Sequence, residues 1–282
     1  MYDVIGVVGA GTMGSGIAYA IASTQDSKVI VCDVDQPALD RGRASIKRAG
    51  DGAVSRGRAT AEDLEKWLGR LNFQVGLEGL RDADVVVEAV FEDLAVKRAT
   101  FVQLDEMCQK AKMLASNTSG LSITAIAGAT KRPERVIGTH FFNPVPAMKL
   151  VEIVRGLQTS DETRALAVEF CKSVGKEVCE VRDFPGFITT RIGQALINEA
   201  IRCLEQGVAD AENIDIGMKL AFNHPMGPLE LADLVGLDVE LKILDSLAEE
   251  LGERFLPSPL LRQMVGAGML GRKSGQGFRK YS

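Results

Sequence analysis

Gly9-Ala10-Gly11-Thr12-Met13-Gly14 limits what this chain can fold into more than any other stretch of it. A lone G-x-G-x-x-G means little in a chain with 29 glycines among 282 residues. Here it is preceded by the apolar run Val4-Ile5-Gly6-Val7-Val8 and followed by an amphipathic stretch over residues 12–24. A second β-branched run, residues 28–32, then ends at the acidic Asp33. Strand, glycine turn, helix, strand and acid open a dinucleotide-binding βαβ unit. Gly9 permits the tight turn, Gly11 lets a pyrophosphate approach the backbone, and Gly14 lets helix and strand pack closely. The phosphates are then expected at the helix N-terminus, against the N–H groups that begin at Thr12 and Met13.

Asp33 stands where a carboxylate accepts hydrogen bonds from ribose hydroxyls and repels a 2′-phosphate, which predicts NAD rather than NADP. The plainer reading is an acid that merely ends a strand in a turn. Methyltransferases also combine a glycine-rich first turn with an acid after the second strand, so the fragment sets the fold and leaves the chemistry open.

The alternation continues. Residues 83–90, 113–116, 135–142, 149–154 and 175–181 read as further strands, and residues 37–54, 94–110 and 161–173 as helices. The pattern predicts an α/β, Rossmann-type, mainly parallel sheet over residues 1–183. After Asp183-Phe184-Pro185-Gly186 the strand runs stop. Residues 187–206, 210–222, 227–234 and 239–251 have helical lengths between Gly and Pro punctuation, so residues 184–282 are expected to form a smaller, all-helical second domain for substrate binding and dimerisation. The apolar stretches 229–237 and 256–264 exceed what one small domain is expected to bury, which suggests a homodimer.

A net charge of −5 argues against nucleic acid as the main partner. Five cysteines, odd in number and without a C-x-x-C pair, predict neither a disulfide framework nor a metal site. Met1-Tyr2-Asp3-Val4-Ile5 runs straight into a strand pattern, with no room for a basic stretch and an apolar leader. No apolar run reaches the roughly 18 residues a bilayer span needs. The expected location is therefore the cytoplasm, with no membrane partner.

Only two histidines, His140 and His224, compete for the role of a base near neutral pH. His140 ends a predicted strand, and ligands of open α/β sheets bind beyond the carboxyl ends of the strands. Twelve residues later, across Asn143-Pro144-Val145-Pro146, the next strand carries Glu152. A carboxylate accepting the Nδ1–H of the histidine would fix its tautomer and leave Nε2 to take the proton of an alcohol. The alternative is a core histidine bonded to a carbonyl, with Glu152 in a surface ion pair. His224 lies between two predicted helices and reads as structural.

His140-Phe141-Phe142-Asn143-Pro144-Val145-Pro146 with Lys149-Leu150-Val151-Glu152 resembles the signature of the L-3-hydroxyacyl-CoA dehydrogenases. Ser116-Asn117-Thr118-Ser119, Pro185-Gly186-Phe187, His224-Pro225-Met226-Gly227-Pro228 and Gly271-Arg272-Lys273-Ser274-Gly275 extend the resemblance over nearly the whole chain. It implies that His140 and Glu152 are the catalytic pair and that Ser119 hydrogen-bonds the substrate 3-oxygen. It also implies that Asn117 meets the nicotinamide side, that Glu92 and Lys97 line the cofactor crevice, and that the substrate is a short-chain acyl-CoA such as 3-hydroxybutyryl-CoA. Ser119 and Asn143 also make good turn residues. Where the family places a substrate-binding asparagine this chain has Thr190, and Gly120 stands where a serine is common. Threonine keeps one hydroxyl but loses the reach of the amide. The cationic stretch 41–58 offers Arg56 and Arg58 as candidates for a CoA phosphate, against the alternative of a solvated helix face. The rival functions are a sugar-acid dehydrogenase of the gulonate type, a crystallin-like nucleotide-binding protein without turnover, and, more distantly, a methyltransferase.

Overall fold

Strand β1 (Val4–Val8) lies inside the sheet because it is apolar on both faces: Ile5 and Val7 are fully buried and Val8 nearly so. A parallel strand covered by helices on both faces needs such an unbroken apolar run. The structure, a computed structural model, describes residues 2–281. Among these the sheet has eight strands in the order β3 (Leu71–Val75), β2 (Lys28–Asp33), β1, β4 (Val85–Glu88), β5 (Met113–Ser116), β6 (Val136–Phe141), β7 (Leu150–Arg155) and β8 (Glu177–Arg182). Strands β1 to β6 are parallel, and β7 reverses direction against β6 and pairs in parallel with β8. The sheet is thus mainly parallel. Since β1 pairs with β2 on one side and with β4 on the other, a crevice opens at this switch point beyond the strand ends.

Helices α1 (Thr12–Thr24), α2 (Gln36–Ser55), α3 (Ala61–Gly69), α4 (Leu94–Met107), α5 (Ile123–Ala127) and α6 (Asp161–Ser173) belong to this first unit. Three of these elements were not expected from periodicity. Strand β3 is an edge strand with half-buried residues and carries Asn72 and Gln74, so its apolar alternation is weak. Helix α3 did announce itself: Thr60 and Asp63 form a capping box. Helix α5 is too short to show a period.

Compact packing divides the chain between Phe184 and Pro185. The second unit contains α7 (Thr189–Glu205), α8 (Ala211–Phe222), α9 (Pro228–Val235), α10 (Leu237–Leu251) and α11 (Pro259–Gly266). Helix α7 starts two residues later than its spacing suggests, since Gly186 and Phe187 take positive φ of 72° and 49°. Of the two apolar stretches singled out above, the unit's own core takes Leu229, Ala232, Leu237, Leu261 and Met264, while Leu231, Leu234, Val235 and Leu256 stay exposed. Among the described residues no helix is long and apolar enough to cross a membrane.

Candidate active site

The glycine turn after β1 separates two kinds of glycine. Gly9 has φ of +97°, and a Cβ there would lie 2.5 Å from the Ala89 carbonyl oxygen; a Cβ on Gly14 would lie 1.8 Å from that of Gly9. Packing of the chain itself requires both. At Gly11 a Cβ would meet nothing within 4 Å. A bare backbone in open space is what a pyrophosphate approaching from outside requires. Helix α1 begins there with no side-chain cap, whereas Asp35, Thr60, Asp93, Ser122 and Ser160 cap α2 to α6. Its first N–H groups, from Thr12 and Met13, are therefore left for an external anion. Asp33 does more than end a strand: Oδ2 accepts the Ala10 N–H at 2.6 Å and Oδ1 that of Val34 at 2.7 Å, which ties the turn to β2. A cavity of about 480 Å3 is lined by Gly11, Thr12 and Asp33 together with Arg41 and Arg48. The residues present fit a dinucleotide.

The ends of β4 and β5 hold a group of buried charges. Glu88, fully buried, accepts Lys97 Nζ and the Val90 N–H on Oε1 and the Ser116 hydroxyl on Oε2, each at 2.7 Å. Lys97 is 1% exposed and also reaches Glu92 Oε2 at 3.3 Å. Glu92 Oε1 in turn accepts the Thr118 hydroxyl at 2.5 Å and the Ser119 N–H at 2.9 Å. Asn117 is buried as well, and its Oδ1 accepts the Phe141 N–H at 2.9 Å, joining the end of β5 to that of β6. Glu88 lies inside the run 83–90 that reads as one strand, and nothing in Val-Val-Val-Glu marks it as a buried charge; the strand itself ends at Glu88.

His140 and Glu152 are cross-strand partners in the antiparallel β6–β7 pair, so both side chains leave the same face. His140 Nδ1 lies 2.8 Å from Glu152 Oε2, with His140 6% exposed and Glu152 fully buried. With an ionised carboxylate at Glu152, which only accepts, Nδ1 would carry the hydrogen and the neutral ring would present its lone pair at Nε2. The Phe142 ring packs 4.3 Å from the imidazole, centroid to centroid. Beyond it, Asn143 is exposed, the Asn143-Pro144 bond is cis, and Val145 packs on α1, where a Cβ on Gly16 would lie 3.0 Å from it. The strand end bearing His140 is thereby docked on the helix that follows the glycine turn. Burial pushes the Cys32 thiol up to about 12 and the Cys108 thiol up to about 11, so both stay protonated near neutral pH.

Family models match both units: that of the 3-hydroxyacyl-CoA dehydrogenase NAD binding domain over residues 4–184, and that of the C-terminal domain over residues 186–281. The chain belongs to the 3-hydroxyacyl-CoA dehydrogenase family. It is 48% identical over 277 residues to the "Probable 3-hydroxybutyryl-CoA dehydrogenase" of Deinococcus radiodurans, covering 98% of this chain and 99% of that one. Identity to the 3-hydroxybutyryl-CoA dehydrogenase of Clostridioides difficile is 44% over 279 residues, 99% of each chain. The crystal structure of (S)-3-hydroxybutyryl-CoA dehydrogenase from Ralstonia eutropha superimposes with a TM-score of 0.96 at 42% identity, covering both chains entirely. As a 3-hydroxyacyl-CoA dehydrogenase the protein is an NAD-dependent oxidoreductase, with NAD as its cofactor.

The remaining family positions are more scattered. Thr190 stands in the first turn of α7, in the second unit. Arg56 ends α2 and Arg58 follows in the turn; both are exposed and neither forms an ion pair among the described residues. His224 is half-buried in the loop between α8 and α9, its ring 6.1 Å from that of Phe222. Two glycine-bearing family motifs have local explanations. Asp215 caps α9 by accepting the Leu229 and Glu230 N–H groups, and Gly227 leaves room for that carboxylate. Asp233 accepts the Phe278 and Arg279 N–H groups and the Tyr281 hydroxyl, with Gly271 and Gly277 packed against it.

Proposed function

We propose that this dehydrogenase interconverts (S)-3-hydroxybutyryl-CoA, or a related short-chain 3-hydroxyacyl-CoA, and the 3-ketoacyl-CoA, with His140 as the proton carrier and Glu152 as its partner. The observation that carries the reading is the buried 2.8 Å contact between His140 Nδ1 and Glu152 Oε2, on a strand end docked against the fingerprint helix. NAD, when bound, supplies the acceptor for the hydride of substrate C3. In the oxidation His140 Nε2 takes the proton of the 3-hydroxyl; in the reduction the imidazolium returns it to the 3-oxygen. Glu152 keeps Nδ1 protonated, which presents Nε2 as the base, and it offsets the positive charge that forms on the ring.

Ser119 is the proposed donor to the 3-oxygen, and Asn117 the proposed contact on the nicotinamide side. Gly9, Gly11, Thr12, Met13 and Gly14 would hold the pyrophosphate and Asp33 the adenosine ribose. Glu92 is the carboxylate of the cofactor crevice, and Lys97, given its burial, acts there through Glu92. Asn143 is proposed at the edge of the substrate, Thr190 in place of the family's asparagine, and Arg56 and Arg58 as cations for the CoA phosphates. The relatives named for 3-hydroxybutyryl-CoA support a four-carbon acyl group. Such a reaction belongs to fatty-acid β-oxidation and butanoate metabolism, in the cytoplasm. Exposed Ile192, Leu220 and Phe222 in the second unit support a homodimer; sedimentation equilibrium should give twice the chain mass.

Steady-state rates with acyl groups of four to ten carbons, gulonate as control, and NADH against NADPH test the reading. Acetoacetyl-CoA with NADH should be the best pair. Turnover of gulonate without turnover of any thioester would overturn it.

A further inference from the structure

We infer that Glu88 is a positioning residue for the reacting site: it closes a ring of hydrogen bonds that fixes the loop Ser116-Asn117-Thr118-Ser119 at both ends. This rests on the proposed contact between Ser119 and the substrate oxygen. One arm of the ring is direct, since the Ser116 hydroxyl donates to Glu88 Oε2 at 2.7 Å. The other arm runs from Glu88 Oε1 to Lys97 Nζ at 2.7 Å, on to Glu92 Oε2 at 3.3 Å, and from Glu92 Oε1 to the Thr118 hydroxyl and the Ser119 N–H. The backbone between Ser116 and Ser119 completes the circuit. Within it Asn117 is held twice more, by its N–H on the Glu88 carbonyl at 2.8 Å and by its side chain on the Phe141 N–H.

The cost of this arrangement argues for a purpose beyond stability. Glu88 is fully buried and Lys97 1% exposed, so both charges have left water. A buried ion pair commonly stabilises a fold no better than apolar residues of the same size, because desolvation offsets the attraction. What the pair supplies here is direction. The Lys97 ammonium sits between two carboxylates, one rooted in the sheet at β4 and one on the rim, so Glu92 is held to the sheet through a short, charged linkage. A loop meant to present a donor to a reacting oxygen must be held to a fraction of an ångström, and a misplacement of about 1 Å costs on the order of 100-fold in rate.

The test is a kinetic cycle on the full chain, with acetoacetyl-CoA and NADH as substrates. Glu88→Gln keeps the shape of the side chain and removes its charge; kcat should fall roughly 10- to 100-fold. The deciding variant is Glu88→Gln combined with Ser119→Ala. If Glu88 acts through the loop, the double variant is no more than about threefold slower than Ser119→Ala alone, because the misplaced group is already gone. Losses that multiply would mean that Glu88 serves only the fold, and would overturn the inference. Should Glu88→Gln fail to fold, Glu88→Gln with Lys97→Gln removes both charges together; a folded protein with the parental kcat would overturn the inference equally. An active parent with an unaffected Glu88→Gln sinks this inference alone. A parent inactive on thioesters, or an unaffected Ser119→Ala, sinks the reading of the site and this inference with it.

Discussion

The two units bury acids for different ends. In the second unit Asp215 and Asp233 are almost wholly inaccessible, and most of their partners are backbone N–H groups: Leu229 and Glu230 for one, Phe278 and Arg279 for the other. These carboxylates fix the path of the chain, capping a helix and holding the C-terminal tail. In the first unit Glu88 and Glu152 are buried just as deeply; Glu88, at the carboxyl end of β4, meets Lys97, and Glu152, on β7, meets His140 at the carboxyl end of β6. Burial therefore does not distinguish a structural acid from a functional one. Nor does a titratable partner, since Asp215 also meets Arg279 and Asp233 also meets Tyr281; what differs is that the first unit's pairs stand at the edge where a parallel sheet receives ligands.

That contrast can be broken most severely at His140. His140→Ala should cut kcat by roughly 10²–10⁴ while leaving NADH affinity, read by fluorescence titration, nearly intact; an unchanged rate would place His140 with the structural residues. Next in size is Asp233→Ala, which deprives two N–H groups and the Tyr281 hydroxyl of their acceptor. Urea denaturation should show a loss of about 3 kcal/mol or more, and a parental midpoint would show that the tail does not depend on this acid.

A third buried acid of the second unit sharpens the comparison through pH. Burial pushes the Glu240 carboxyl in α10 up to about 7 from 4.5, against the opposing hydrogen bond from Gln194. A raised acid binds its proton more tightly in the folded than in the unfolded chain. Its contribution is therefore complete below about 4.5 and is lost as pH rises through about 7. Thermal unfolding should show stability falling across that window by up to roughly 3 kcal/mol, and Glu240→Gln should remove that part of the slope. Persistence of the full slope in the variant would clear Glu240 of it. The mildest effect is expected in the glycine turn. Gly11→Ala should leave the melting temperature nearly unchanged and weaken NADH binding about tenfold or more, whereas Gly14→Ala, whose Cβ would meet the Gly9 carbonyl, should lower stability. Equal melting losses in both would show that Gly11 is held by packing after all.

Much of this was visible in the residues. The glycine turn, the switch from strand to helical spacing near residue 184, and the contact between His140 and Glu152 all follow from short-range pattern, because a brief proline-bearing connection between two strands leaves few registers. What stayed hidden depends on distance in the fold. Glu88 meets Lys97 nine positions on, through a strand end and a helix, and nothing in Val-Val-Val-Glu marks its glutamate as buried. Asp233 meets Arg279 across 46 positions, so a glycine-rich tail gave a family resemblance without its physical reason. Helix α3 carries a legible start in Thr60 and Asp63 but is too short to show a long apolar period.

The claim on which the rest depends is that Glu152 makes His140 an effective proton carrier, and the single-turnover rate of acetoacetyl-CoA reduction by Glu152→Gln, with NADH already bound, tests it most directly. A rate at least about tenfold below the parent, with folding and NADH affinity preserved, is the expected result. A parental rate would contradict it and leave Glu152 as one more acid that holds the chain in place.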